Sequence, residues 1–231
     1  MKLAVITARG GSKRIPRKNI REFCGKPIIA YSIQAALDST CFDEVMVSTD
    51  DNEIAEIARK YGAKVPFIRS AETANDFATT ADVLCEVISE YQRRKINPEY
   101  LCCLYPTAPL TTADNLISAF DQLHKNQLDV VFPLVKFSFP IQRALRFHDN
   151  QVSFFNPEHA LTRSQDLEPA YHDAGQFYWT RVNTFMESKS LVSEKTGGIV
   201  LPEWQVQDID NMDDWVLAEM KYRLIHQMEN V

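Results

Sequence analysis

Between Thr7 and Asn19 the chain reads T-A-R-G-G-S-K-R-I-P-R-K-N, and Arg21 follows two residues later. Arg9, Lys13, Arg14, Arg17, Lys18 and Arg21 gather six positive charges here with no acid among Arg9–Arg21. Gly10 and Gly11 carry no Cβ, so backbone N–H groups can approach a ligand closely, and Ser12 adds a hydroxyl. Amides, a hydroxyl and cations together suit a polyphosphate. The spacing is neither G-x-x-x-x-G-K-[ST] nor G-x-G-x-x-G, which separates it from those two phosphate motifs. A solvated basic loop or a nuclear-import-like run is the alternative. Its position directly after an apolar run, residues 2–8, argues against that, because ligands of open α/β sheets bind at the carboxyl ends of strands.

A second constellation is Asp208-Ile209-Asp210. In an extended segment the side chains of residues i and i+2 point to the same side, which sends Ile209 into the core and leaves two carboxylates together. Such a pair repels unless a cation neutralises it. Mg²⁺ takes one or two carboxylates plus substrate phosphate oxygens. The alternative is an acid pair capping the helix that follows. Asp50-Asp51 and Asp213-Asp214 are further pairs, and each sits at an expected helix start where capping explains it. His124, His148, His159, His172 and His226 show no metal-ligand spacing; His172, beside Asp173, borders a candidate site loop. Ser12 lies outside a G-x-S-x-G elbow, which disfavours a hydrolase nucleophile.

The rest of the chain limits the function classes. It has 231 residues, 45% of them hydrophobic and 24% charged, with 25 Lys and Arg against 31 Asp and Glu. That suits one large α/β domain and a soluble globular chain. A net charge of −6 makes it a poor general partner for nucleic acid. No apolar run is long enough to span a membrane, and the N-terminus reads as a first strand, not a signal peptide. Five cysteines, an odd number without C-x-x-C, point to a reduced, cytoplasmic protein.

The elements expected to position these residues alternate. Strands are expected at 2–8, 44–49, 64–68, 100–105, 129–136 and 175–181, and helices at 28–38, 52–61, 79–95, about 112–126 and 211–228. Strands alternating with helices imply a parallel sheet covered on both faces. Residues 138–172 break the pattern with prolines, aromatics and scattered charge. They read as an arm leaving the main sheet, with a short β excursion at about 143–155. Residues 197–209 read as extended. Cys102 and Cys103 alternate across a buried strand and need no reactive role.

Five motifs in order resemble the CMP-sialic acid synthetase family of cytidylyltransferases. They are the 7–19 loop, G-K-P-I-I-A-Y-S-I (25–33), V-S-T-D-D-x-E-I-A (47–55), Y-P-T-A-P-L (105–110) and Q-D-I-D (207–210). The resemblance implies an α/β Rossmann-like nucleotidyltransferase of the nucleotide-diphospho-sugar transferase type. That is a three-layer sandwich with a mostly parallel sheet and a small inserted β arm, a single domain over 1–231. It also implies a homodimer, Mg²⁺, and transfer of CMP from CTP to a 2-keto sugar acid. Arg9, Gly11, Ser12, Lys18 and Asn19, with Gly10 and Lys13 between them, match the nucleotide-binding loop. Arg9 and Lys18 would contact phosphates and Asn19 the nucleotide. Arg69 and Asp76 match a segment that helps hold cytidine, and Asp208 and Asp210 match the metal pair. The 138–172 arm corresponds to the region that reaches the partner subunit and its sugar site.

The departures from the family pattern fall on the sugar side. Tyr105 stands where the sialic acid enzymes generally have Gln. F-P-I-Q-R-A-L (139–145) brings Gln142 and Arg143 where a Lys is usual, and D-A-G-Q-F-Y-W (173–179) brings Asp173, Gln176 and Tyr178 where they have N-G. These segments resemble the branch acting on pseudaminic acid. Arg143 and Arg163 are the candidates for the sugar carboxylate, since Arg suits bidentate contact. Legionaminic acid, N-acetylneuraminate and a shorter 2-keto acid stay open as substrates, and so does a catalytically inactive nucleotide-binding module.

Overall fold

The structure is a computed structural model that describes residues 1–228. The apolar run after Met1 forms β1 (Lys2–Thr7). A basic loop leads into a small hairpin of β2 (Glu22–Phe23) and β3 (Lys26–Pro27), followed by α1 (Ile29–Asp38). Then come β4 (Glu44–Ser48), α2 (Asn52–Lys60), the one-turn α3 (Ala71–Ala74), α4 (Thr80–Arg93) and β5 (Tyr100–Leu104). The second half holds α5 (Ala113–Lys125), β6 (Val130–Lys136), β7 (Leu145–His148), β8 (Gln151–Phe154), β9 (Tyr171–Asp173) and β10 (Phe177–Arg181). It closes with α6 (Val182–Ser188), β11 (Thr196–Leu201) and α7 (Met212–Met228).

The main sheet runs β11-β6-β10-β5-β1-β4, and β9 also pairs with β6. β1 is parallel to β4 and β5, and β6 is parallel to β11, whereas β10 is antiparallel to both β5 and β6. Five strands therefore share one direction, and only β9 and β10 oppose it. Register fixes where the loops emerge. Thr7 lies opposite Ser48, Ile6 opposite Leu104, and Leu104 opposite Phe177. The ends of β1, β4 and β5 and the start of β10 thus meet at one edge, from which loops 8–21, 49–51, 105–112 and 174–176 depart.

Alternation along the strands feeds two apolar layers. Ala4, Ile6 and Cys102 pack with Ile29 and Ile33 of α1, Ile54 of α2 and Leu116 of α5. Leu3, Val5 and Cys103 face the other way, onto Leu84, Val87 and Ile88 of α4 and Phe185 of α6. Burial raises the thiol of Cys103 to about 12 and that of Cys102 as well, so both are packing groups. A third cluster joins Ile15, Phe23, Ile28, Tyr31, Ile209 and Trp215. It roots the basic loop and the D-I-D segment in the same apolar contact.

Two sequence expectations need correction. Residues 64–68 form no strand; only Lys64 bridges Met46. Pro66 lacks the N–H a ladder requires, and the next backbone bond to this region is made just past the end of β4, where the Arg69 N–H donates to Thr49 O. The extended run at 197–209 is interrupted as well, since β11 stops at Leu201, before Pro202, and a 3₁₀ turn covers Glu203–Gln205. Between β6 and β9 the chain leaves the sheet. β7 and β8 pair as a hairpin whose Asp149 and Asn150 both have positive φ, as a tight primed turn demands.

Candidate active site

The basic loop is held from behind by the acid pair after β4. The Gly10 N–H donates to Asp50 Oδ1 at 2.9 Å. Asp51 caps α2 by accepting from the Ile54 N–H and also accepts from Arg17. Arg17 sits in the left-handed region at φ 56° and reaches Glu53 too. The Arg17 hydrogen bond, against the cost of burial, holds the Asp51 carboxyl below the usual range. A Cβ at residue 10 would lie 2.8 Å from Asp51 Oδ2, so glycine is required there for close approach. The capping role expected of the Asp50-Asp51 pair is met by Asp51 alone; Asp50 serves the loop.

Asn19 is buried, and its amide donates to Arg9 O at 2.8 Å, closing the loop on itself. At the loop tip Arg9 and Lys13 both engage Asp76, at 2.8 and 2.5 Å. Arg14 pairs with Asp210 at 2.7 Å. Lys18 Nζ donates to Ile209 O at 2.6 Å, between the two carboxylates of the D-I-D segment. Arg21 lies over the Trp215 ring at 5.5 Å. Each of the six cations thus has a partner supplied by distant chain.

Arg9, Gly11, Ser12, Lys13, Lys18, Asn19, Tyr105 and Asp208 line one cavity of about 440 Å³, with Thr7, Pro106 and Thr107. A second, of about 560 Å³, lies on the other side of the loop tip, between Arg9–Lys13 and Ala74–Phe77. Gly10 and Asp76 face this second space. Ile209 is fully buried, as the alternation predicts. Asp208 is exposed on one side, yet the protein around it and the neighbouring Asp210 hold its carboxyl above the usual range. Burial pulls the Lys18 ammonium down, opposed by Asp210 and Asp208. A divalent cation would reverse the strain on that carboxylate pair. Among the described residues no cluster of three or more His, Cys, Asp or Glu is placed to hold a metal. A two-carboxylate ion would need its remaining ligands from a phosphate substrate; Asp208 lines the first cavity, whereas Asp210, paired with Arg14, lines neither. Asp213 and Asp214 begin α7, where Asp214 Oδ2 accepts from the Asp210 and Asn211 amides.

On the other flank the Tyr105 ring meets Tyr178 edge to face at 5.7 Å. The Tyr178 hydroxyl donates to Asp173 Oδ2 at 2.5 Å, and Asp173 Oδ1 accepts from the Gly175 N–H. Burial raises both phenols. Gln176 is buried, donates to Gln205 O at 2.7 Å and leaves its Oε1 without a partner. Arg69 lies beneath the site, donating to Ser48 Oγ at 3.0 Å, and lines neither cavity; burial lowers its pKa. Gln142, Arg143 and Arg163 stay within the arm: Gln142 donates to Glu168 O, Arg143 reaches Ser164 Oγ, and Arg163 pairs with Asp166. Gln142 Oε1 and Arg143 Nε are buried there without partners. His172 packs on Phe137 and lines neither cavity.

A basic glycine-containing turn sharing a cavity with Asp208 at the carboxyl edge of an α/β sheet suits transfer of a nucleotidyl group. The chain belongs to the cytidylyltransferase family, whose sequence profile matches residues 3–199. A pseudaminic acid cytidylyltransferase of Campylobacter jejuni is 44% identical over 226 residues, 97% of each chain. A CMP-N,N'-diacetyllegionaminic acid synthase of Legionella pneumophila is 35% identical over 224 residues, 94% of each. Among solved structures, CMP:2-keto-3-deoxy-manno-octonic acid synthetase complexed with CTP superposes with a TM-score of 0.69 at 18% identity. That match spans 98% of this chain and 99% of the other and is a likeness of fold.

Proposed function

We propose that this enzyme transfers CMP from CTP to the anomeric hydroxyl of pseudaminic acid, a nine-carbon 2-keto sugar acid, and releases pyrophosphate. The observation that carries the reading is the shared cavity, lined by Arg9, Gly11, Ser12, Lys13 and Lys18 together with Asp208 and Tyr105. The 44% identical relative, named for pseudaminic acid, supports that sugar over legionaminic acid, whose named relative is 35% identical.

In this reading the loop cations and the Ser12 hydroxyl bind the triphosphate, and Asn19 shapes the nucleotide side. Arg69 supports the cytidine side from beneath. Tyr105, Tyr178 and Asp173 form the wall against which the sugar lies, with Gln176 behind them. The anomeric oxygen forms a bond to the α-phosphorus and gives up its proton to solvent while the bond to pyrophosphate breaks. Arg9 and Lys18 neutralise charge gathering on the leaving group. Positioning and charge stabilisation supply most of the acceleration. Mg²⁺, held by Asp208 and Asp210 with phosphate oxygens, would supply Lewis-acid polarisation of the transferred group.

The proposal includes a single domain with an arm at about 138–172 and a homodimer joined through that arm. The arm exposes Phe147, Val152 and Leu161 at 72%, 61% and 97%, an apolar surface of the kind that marks association. Its buried orphan atoms on Gln142 and Arg143 suit a sugar site completed across the dimer, with Arg143 or Arg163 for the sugar carboxylate. A cytoplasmic location suits five free cysteines. No helix among the described residues is long and apolar enough to cross a membrane.

Pyrophosphate release from CTP and Mg²⁺ with each of pseudaminic acid, legionaminic acid and N-acetylneuraminate tests the reading. Fastest release with pseudaminic acid is expected. Fastest release with another acid would overturn the substrate, and CTP binding without release with any acid would favour a nucleotide-binding module.

A further inference from the structure

The Asp76 carboxylate lies between the two cations at the loop tip, with Oδ1 to Arg9 at 2.8 Å and Oδ2 to Lys13 at 2.5 Å. Arg9 also donates to the neighbouring Asn75 O at 3.3 Å. A carboxylate spanning two cations presents the same charge and acceptor pattern as two phosphate oxygens. The cavity that Asp76 borders continues along Gly10, Gly11, Ser12 and Lys13, and four of the loop's residues, Arg9, Gly11, Ser12 and Lys13, line both cavities.

The backbone on either side of Asp76 is tied down, while the Asp76 side chain itself is 43% exposed. Glu86 of α4 accepts from the Ser70 N–H at 2.8 Å and from the Thr73 hydroxyl. Asn75 Oδ1 accepts from the Phe77 and Ala78 amides at 2.8 and 2.9 Å, and its amide donates to Glu72 O. Thr79 and Asp82 form a reciprocal cap at the start of α4. The chain on both sides of Asp76 is thus tied to itself or to α4, so the ordering cost of its backbone is already met when a ligand arrives.

We infer that Asp76 is a positioning residue that holds Arg9 and Lys13 in their phosphate-binding arrangement and is displaced by the triphosphate, so that it weakens nucleotide binding and speeds pyrophosphate release. This rests on the nucleotide reading above and departs from it in sign. A residue in contact with cytidine would strengthen binding, whereas a phosphate placeholder opposes it. Two exposed ion pairs, each modest on its own, correspond to roughly three- to tenfold in affinity when both must be broken.

The experiment is calorimetric titration of wild type, Asp76→Asn and Asp76→Glu with CTP, pyrophosphate and CMP in the presence of Mg²⁺, with the melting temperature as a folding control. Asp76→Asn is expected to bind CTP and pyrophosphate about three- to tenfold more tightly and CMP unchanged, with kcat lowered where product release limits it. Asp76→Glu, which keeps the charge, is expected to stay near wild type. Weaker binding of CTP and CMP alike by Asp76→Asn, or unchanged binding of CTP and pyrophosphate, would overturn the inference. A wild-type chain that binds neither CTP nor pyrophosphate would instead contradict the nucleotide reading itself.

Discussion

Lys18 and Ile209 stand 191 residues apart in the chain and are joined by a 2.6 Å hydrogen bond from the ammonium to the backbone carbonyl. The bond fastens the basic loop to the D-I-D segment, and Ile15 and Ile209 meet in the same apolar cluster. Lys18→Met should lose this tie together with a phosphate contact. A fall in kcat of about 100-fold or more is expected, with circular dichroism unchanged; near-normal turnover in a steady-state assay would refute the role.

Asp210 pairs with Arg14 on one side and neighbours Asp208 on the other. Asp210→Asn should remove most kcat, by about 100-fold or more, while leaving the fold intact. Its Mg²⁺ dependence should shift to higher concentration, read as the metal concentration at half-maximal rate. An unshifted metal dependence would contradict the metal assignment.

Tyr105 reaches Asp173 through Tyr178. Tyr105→Gln should change the ranking of sugar acids more than the KM for CTP. A raised KM for CTP with an unchanged sugar profile would place Tyr105 on the nucleotide side instead.

Asp51 serves two elements at once, the first turn of α2 and Arg17 of the loop. Asp51→Ala should cost about 1 kcal/mol for the cap alone and raise the KM for CTP, read by thermal melts and kinetics. Because Arg17 depresses the Asp51 carboxyl, the folded state binds fewer protons at this site than the unfolded chain. Its contribution is therefore full above the ordinary carboxylate range and is lost as pH falls through the depressed value. The wild type should accordingly lose more stability than Asp51→Ala on acidification below that range. Parallel pH profiles of melting temperature would contradict the pairing.

The arm hairpin exposes Phe147 to 72% and Val152 to 61%. Phe147→Glu should shift sedimentation from dimer to monomer. If the arm joins two copies and completes the sugar site, as proposed, the substitution should also lower kcat/KM for the sugar acid more than CTP affinity. A monomeric wild type would contradict the arm's role.

The sheet was legible because its central strands are short apolar runs closed by Gly, Pro or Asp, as at residues 2–8 and 100–105. The segment at 64–68 has the same apolar character, but Pro66 withholds a donor, and composition alone does not reveal that cost. Strand alternation expects Ile209 inside, and it is fully buried; alternation did not reveal that Asp210 pairs with Arg14. The pairing of the basic loop was not legible. Asp50, Asp51, Asp76 and Asp210 reach it from 34 to 196 positions away, and no local pattern marks which acid turns toward which cation. Asp50-Asp51 looked like one capping pair, and only the packing of α2 against the loop separates the residue that caps from the one that binds Gly10. The arm's Gln142, Arg143 and Arg163 are sugar-site candidates by residue type and resemblance alone. Their partners among the described residues lie within the arm itself.

The most direct measurement is a competition: limiting CTP and Mg²⁺ with equimolar pseudaminic acid, legionaminic acid and N-acetylneuraminate, with products resolved by ¹H and ³¹P NMR. CMP-pseudaminic acid as the dominant product, with one pyrophosphate released per CTP consumed, is the predicted result. A different CMP-sugar as the dominant product, or CTP left intact, would contradict it.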